Sequence, residues 1–217
     1  MYDFAVIFDM DGVIIKNSEY HKKAWNEFCK KYGVNLTEAE RKQYIYGTIN
    51  KTALEYIFKK ELTKDEINIY GNEKEEIYRA IYKPDIKITD NLISFLDMLK
   101  ANNVTIGIAT SANKENVDFV MDNTGIRDYF KEIIDADQIE KGKPDPEIYL
   151  KTAQKLGYIP EKCIVIEDSV SGVMSGKNAN MKVIAITNTH SKVDLKMADL
   201  IIDNFNELDN INRIINL

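Results

Sequence analysis

A short, unbroken apolar run, Phe4-Ala5-Val6-Ile7-Phe8, stops abruptly at Asp9, and similar runs recur at 104–109, 133–134, 163–166, 183–186 and 200–202. A strand that alternates apolar and polar residues has one wet face. A strand apolar throughout is buried on both faces, the condition of a parallel sheet covered by helices. Stretches of helical spacing fall between these runs. Residues 89–102 place Leu92, Phe95, Leu96 and Leu99 on one stripe, and the next stretch does the same with Val117, Val120 and Met121 before Gly125. In a third, Asp145 is placed to cap, Pro146 to take the first helical position and Gly157 to stop the helix. Strand alternating with helix predicts an α/β fold, a Rossmann-like doubly wound and mainly parallel sheet.

One stretch breaks the alternation. From Asp11 to about Lys87 no strand-like run occurs, only helical segments such as 18–32, where Ala24, Trp25, Phe28 and Tyr32 share a face. A connection after a strand normally takes ~2–6 residues, so one this long predicts an inserted α-helical domain at 16–87, splitting an α/β core domain into 1–15 and 88–217. Within the insert, 59–83 is rich in Lys and Glu, yet Ile67, Tyr70, Ile77 and Ile81 recur near helical spacing, which predicts a solvated amphipathic helix.

Composition narrows the function classes. With 29 Lys plus Arg against 35 Asp plus Glu, the net charge of −6 argues against a nucleic-acid surface, and any phosphate site must be local. No apolar run approaches the ~18–20 residues of a membrane span, and residues 1–10 carry no basic leader pattern, so a cytoplasmic protein without membrane partners is expected. The two cysteines, Cys29 and Cys163, sit in apolar segments and read as buried free thiols. With two histidines and no cysteine cluster, a zinc site is not expected, and His190 reads as a solvated loop residue.

Four polar features close successive apolar runs. Asp9-Met10-Asp11-Gly12 follows the first, Thr110-Ser111 the second, Lys143 stands in Gly142-Lys143-Pro144-Asp145-Pro146, and Glu167-Asp168-Ser169 closes another. Each has a plainer reading alone: a capping turn, a loop, a solvated lysine, a polar strand exit. The carboxyl ends of parallel strands face one crevice, where such sheets bind ligands, so four coincident plain readings are less economical than one site. Together the four supply a carboxylate nucleophile, a second carboxylate, a hydroxyl, a cation and oxygen ligands for a hard metal, the parts for phosphoryl transfer.

These motifs, in this order, resemble those of the haloacid dehalogenase-like phosphohydrolase superfamily, in its β-phosphoglucomutase-like branch with a small helical cap. The resemblance implies that Asp9 is the nucleophile that forms an aspartyl-phosphate and Asp11 the general acid/base. It implies Mg²⁺ held by the Asp9 carboxylate, the Asp11 main-chain carbonyl and Asp168, with Glu167 orienting a metal-bound water. Thr110 and Lys143 would bind the transferring phosphoryl group, with Ser111 and Asn113 beside it as substrate-binding candidates. Asp11 is missing from the dehalogenase branch, so dehalogenation is disfavoured.

The resemblance also implies that the cap closes over the crevice and selects the leaving group. His21 and Trp25 match positions near the substrate, though one helical turn apart with Phe28 they also read as core. Gly47, Asn50 and Lys51 belong to the glycine-containing cap segment. β-Phosphoglucomutases carry a lysine just before this glycine and an arginine three residues after it; here Tyr46 and Asn50 stand there, with Lys51 a displaced substitute. A mutase must hold a second phosphate, and two lost cations remove charge-assisted bonds worth ~1.5–3 kcal/mol each. Lys16-Asn17 also departs from the Asp and Ser or Thr usual at the hinge. The expectation is a monomeric Mg²⁺-dependent phosphatase for a small phosphorylated metabolite such as a sugar phosphate, with β-phosphoglucomutase as the alternative and a non-catalytic partner-binding scaffold as a third reading.

Overall fold

The structure, a computed structural model, describes residues 3–207. The chain runs from β1 (Ala5–Phe8) into helices α1 (Ser18–Lys31), α2 (Glu38–Glu40), α3 (Asn50–Phe58) and α4 (Lys64–Tyr82). It continues through α5 (Leu92–Ala101), β2 (Thr105–Ala109), α6 (Lys114–Thr124), β3 (Glu132–Ile134) and α7 (Glu147–Leu156). β4 (Cys163–Glu167), α8 (Val170–Asn178), β5 (Lys182–Ile186) and β6 (Leu200–Ile202) follow. Two compact units result, residues 17–85 on one hand and 1–16 with 86–217 on the other.

In the α/β unit all six strands are parallel, in the order β3-β2-β1-β4-β5-β6. β1 is central and wholly buried, with Ala5 opposite Thr105 on one side and Cys163 on the other. Successive side chains leave a strand on opposite faces. Ala5 and Ile7 pack with Val165, Val183, Tyr149, Ala153 and Leu156. Phe8 points the other way, into the rings of Phe95, Phe130 and Phe205 at 5.9, 6.2 and 6.5 Å. Burial on both faces is why these strands read as continuous apolar runs. The direction of winding reverses between β1 and β4, so their carboxyl ends diverge around a crevice.

Several boundaries differ from the sequence expectation. α5 begins at Leu92, not near 89, because Asn91 takes a left-handed φ of 64° and Thr89 donates its N–H to Ile14. α7 begins at Glu147: Pro146 occupies the capping position rather than the first turn, and Asp145 Oδ1 reaches in from one residue further out to accept the Glu147 N–H at 3.0 Å. Gly125 and Gly157 end their helices in left-handed conformations, as the sequence predicts. β4 runs one residue beyond its apolar stretch, since Glu167 still pairs with Ala185.

The helical unit has its own core of Trp25, Phe28, Cys29, Leu36, Ile45, Ala53, Leu54 and Ile57. Thr37 with Glu40 and Thr63 with Glu66 form reciprocal capping boxes that start α2 and α4. The predicted stripe Ile67, Tyr70, Ile77, Ile81 is only partly covered. The deeply buried face of α4 is Gly71, Lys74, Glu75, Tyr78 and Tyr82, a polar set that a hydrophobic-stripe argument passes over. Cys29 and Cys163 are buried and unbridged. Among the described residues no helix is long and apolar enough to cross a membrane.

Helix α8 lies close to the sheet because it carries glycine where it meets β5. A Cβ on Gly176 would stand 2.8 Å from Val183 Cγ2 and 3.4 Å from Val165, whereas one on Gly142 would meet nothing within 4 Å. Gly176→Ala is therefore expected to lower unfolding free energy by about 1–3 kcal/mol through overpacking, and Gly142→Ala to leave it nearly unchanged. Denaturant melts of the two variants side by side check this.

Candidate active site

The site is built on the diverging ends of β1 and β4. Asp9 continues β1 by donating its N–H to the Ile166 carbonyl at 2.9 Å, and the chain then turns through Gly12, whose N–H reaches the Ile15 carbonyl at 2.7 Å. Gly12 has φ +81°, and a Cβ there would lie 1.8 Å from Asp168 Oδ2, so both backbone and space require glycine. At the end of β4, Glu167 and, one residue beyond it, Asp168 project into the same region. Ligand oxygens of Asp9, Glu167 and Asp168 lie within 4.8 Å of one another, and all three residues are buried.

Lys143 ties this trio together. Its Nζ donates to Asp9 Oδ1 and Glu167 Oε1, both at 2.6 Å, and to the Ala109 carbonyl at 3.3 Å, while lying 5.0 Å above the Tyr149 ring. The lysine that the sequence assigns to the site is thus 6% exposed at its side chain, not the solvated loop residue of its plainer reading. Glu167 is saturated: Oε1 accepts from Lys143 and from Tyr149 Oη at 2.9 Å. Its Oε2 accepts from the Asp168 and Ser169 N–H groups and the Ser169 hydroxyl.

Charge explains the protonation preferences. Burial pushes the Asp9 carboxyl well above its usual range; Lys143 opposes this, and the Glu167, Asp168 and Asp11 carboxylates add to it. Burial, then Glu167, pushes Asp168 up to about 7. Burial also works against ionised Glu167, but Lys143, the backbone donors and Tyr149 outweigh it and hold this carboxyl below its ordinary value. For Lys143, burial is overcome by Asp9 and Glu167, which keep the ammonium charged. One ammonium does not keep all three close carboxylates ionised, since Asp9 and Asp168 are still pushed upward, and a second cation would supply the missing positive charge. An all-oxygen donor set is one a hard divalent ion such as Mg²⁺ prefers, so the residues fit that metal.

Other predicted residues fall into place unevenly. Thr110 is buried after β2, its hydroxyl accepting the Ala112 N–H at 3.1 Å, and Ser111 beside it is exposed. Asn113 caps α6, its Oδ1 taking the Asn116 N–H at 3.1 Å. The Asp11 side chain is outside the carboxylate trio, and the residue bridges to Ile15 in the turn. His190, read as solvated, lies with Nδ1 3.0 Å from the Asp168 carbonyl.

In the helical unit, Trp25 belongs to the core, whereas His21 belongs to a polar cluster. His21 stacks on Tyr78 at 3.9 Å, and its Nδ1 lies 2.9 Å from Lys74 Nζ, which also meets Glu75 at 2.9 Å. Asn17 Nδ2 donates to Tyr78 Oη at 2.7 Å and lies 3.3 Å from His21 Nε2. Gly47 has φ 73°, Asn50 opens α3, and Lys51 is exposed and faces Glu55 at 4.0 Å. The ring of Tyr46 lies 5.7 Å beneath Lys22 Nζ, and its hydroxyl reaches Asn26 at 3.3 Å.

Tyr149, Lys74, Glu75, His190 and Thr189, whose hydroxyl donates to the Asp168 carboxylate, are the partners that sequence reasoning missed or misread. Tyr149 carried a signal: it lies on the inward stripe of α7 with Ile148, Thr152, Ala153 and Leu156. Polar Thr187-Asn188-Thr189-His190 directly follows a buried strand, the same signal that singled out Thr110 and Asp168.

The ammonium of Lys74 has only protons to offer, so His21 Nδ1 accepts and the ring is neutral. Burial, then Lys74, lowers the His21 pKa to about 3, against Glu75. The unfolded chain takes this proton near pH 6.5 and the folded chain refuses it until about pH 3, so stability falls as pH drops through that window. Between pH 7 and 5 the loss from this group is about 2 kcal/mol. His21→Asn should flatten the pH dependence by that amount; equal slopes for variant and parent would show that His21 is not held neutral.

Similarity to known proteins follows the same lines. Residues 6–186 match the haloacid dehalogenase-like hydrolase family. A crystal structure of a HAD hydrolase, family IA, variant 3 from Entamoeba histolytica superposes with a TM-score of 0.91 at 34% identity, covering 99% of this chain and 100% of that one. The β-phosphoglucomutase of Bacillus subtilis is 30% identical over 84% of this chain and 82% of its own length. The chloroplastic 5-amino-6-(5-phospho-D-ribitylamino)uracil phosphatase of Arabidopsis thaliana is 26% identical over 94% of this chain, which spans 55% of that longer protein. With its parallel sheet, its carboxylate trio and this match, the chain belongs to the haloacid dehalogenase-like hydrolase family.

Proposed function

We propose that the chain is a Mg²⁺-dependent phosphatase of a small phosphorylated metabolite, a sugar phosphate, and that the phosphoryl group passes through Asp9. The observation that carries this reading is Lys143 bonded to Asp9 and Glu167 at 2.6 Å each, beside Asp168. A phosphate dianion repels a carboxylate, so attack requires positive charge fixed where the two meet. Lys143 is fixed there by its bonds to Asp9, Glu167 and Ala109. Because Lys143 holds Asp9 Oδ1, the other carboxylate oxygen is the one assigned to attack. Asp11 is assigned to protonate the leaving oxygen and then to take a proton from the attacking water. Thr110, Ser111 and nearby main-chain N–H groups are assigned to the phosphoryl oxygens.

The carboxylates of Asp9 and Asp168 and the Asp11 carbonyl are assigned to the metal. Glu167, whose oxygens already accept five bonds, acts at one remove. Magnesium, when bound, supplies the charge that offsets repulsion between nucleophile and substrate. Choice among phosphorylated compounds is assigned to the helical unit, with His21 and its Lys74 partner as candidates. All these groups come from one chain, so the reading needs no second copy. The mutase alternative draws on the 30% identity to a β-phosphoglucomutase, but Tyr46 and Asn50 supply no cation for a second phosphate.

One incubation separates the two: protein, Mg²⁺, β-glucose 1-phosphate and a trace of glucose 1,6-bisphosphate, followed for inorganic phosphate and glucose 6-phosphate together. Free phosphate with little glucose 6-phosphate is expected. Rapid glucose 6-phosphate without free phosphate would establish the mutase instead. Asp9→Asn should bring either product to background, and an unchanged rate would remove both readings.

A further inference from the structure

The segment after β5 reaches the catalytic centre with three successive side chains. Asn188 Nδ2 donates to the Gly12 carbonyl at 2.7 Å. The Thr189 hydroxyl donates to the Asp168 carboxylate, and His190 Nδ1 lies 3.0 Å from the Asp168 main-chain carbonyl. These contacts span both turns of the site, the one after β1 that carries Asp9 and Asp11 and the one after β4 that carries Asp168.

The segment is itself held at both ends by bonds that do not involve the site. Thr187 N–H reaches the Ile202 carbonyl at 3.0 Å, and its hydroxyl reaches Asp203 at 2.8 Å. On the far side Ser191 Oγ donates to Asp194 at 2.6 Å. Its geometry is therefore fixed by β6 and by its own turn before it meets Asp168. Thr189 is exposed while Asp168 is 4% exposed, so the hydroxyl comes in from the solvent side onto a buried carboxylate and contributes no core packing. A hydroxyl has one proton to donate. It fixes one carboxylate oxygen and leaves the other oxygen's direction set.

We infer that residues 188–190 form an outer support of the metal-binding carboxylate, in which Thr189 is a positioning residue that orients Asp168 toward a divalent cation. This rests on the Mg²⁺ reading above. Neighbours that orient a metal ligand typically change affinity by about 10–100-fold when removed.

The test is Mg²⁺ titration by calorimetry of the parent, Thr189→Val and Thr189→Ser, with thermal melting of each in the absence of metal. Valine keeps the shape of threonine without the hydroxyl, and serine keeps the hydroxyl without the methyl. Thr189→Val should bind Mg²⁺ about 10-fold more weakly, Thr189→Ser should bind within about 3-fold of the parent, and metal-free melting should be similar for all three. His190→Leu, which removes the second contact to Asp168, should also weaken Mg²⁺. If Thr189→Val binds like the parent, or if valine and serine weaken binding equally, the positioning role is overturned while the Mg²⁺ reading stands. A parent that binds no Mg²⁺ would overturn the metal assignment itself, and this inference with it.

Discussion

A single buried ammonium among three buried carboxylates is the constraint on which the rest of the site depends. Lys143 neutralises Asp9 and Glu167 directly, and without it the ends of β1 and β4 would bring like charges together in a region of low polarity. Everything nearby serves to make that arrangement possible. Tyr149 and the start of α8 complete the bonding of Glu167. Gly172 leaves room for that carboxylate, since a Cβ there would fall 1.7 Å from Glu167 Oε1. Gly12 does the same for Asp168. One ammonium does not keep all three carboxylates ionised, since Asp9 and Asp168 are still pushed upward, and that shortfall is the physical argument for a divalent cation.

The sheet order explains why residues so distant in sequence meet. β1 pairs with β2 and β4, so the chain segments that leave all three strands begin within a few strand spacings of one another. Asp9 leaves β1, Thr110 leaves β2, and Asp168 leaves β4, while Lys143 comes from the connection between β3 and α7. Precision comes from the strands, which are buried and paired on both sides, and chemical variety comes from the loops. Residues 188–190, after β5, extend the same logic by one more strand.

Much of this was legible in the sequence, for identifiable reasons. Strands buried on both faces must be apolar throughout, so their positions and the α/β class could be read directly, and of the polar residues closing them the fold brings Asp9, Glu167 and Asp168 together. The reading failed where a polar residue is buried by pairing rather than by pattern. Lys143 stands out in the sequence as a site cation, but its depth of burial does not show there, because its partners lie 134 and 24 residues away. Lys74 and Glu75 looked like the wet face of a charged helix, yet they line its buried face with Tyr78 and Tyr82. His190 looked solvated because its contact to Asp168 depends on β5 lying beside β4. Long-range pairing of charges leaves no periodicity, so a single sequence does not display it.

The most direct test of the central claim is a double-mutant cycle on stability between Lys143 and Glu167. Lys143→Met alone should lower unfolding free energy by about 3–5 kcal/mol, because two buried carboxylates lose their cation. Adding Glu167→Gln should cost less in that background than in the parent, with a coupling above about 1 kcal/mol. Strict additivity, with Lys143→Met nearly neutral, would contradict the account: the ammonium would then be an occupant of the site and not the charge that holds it together.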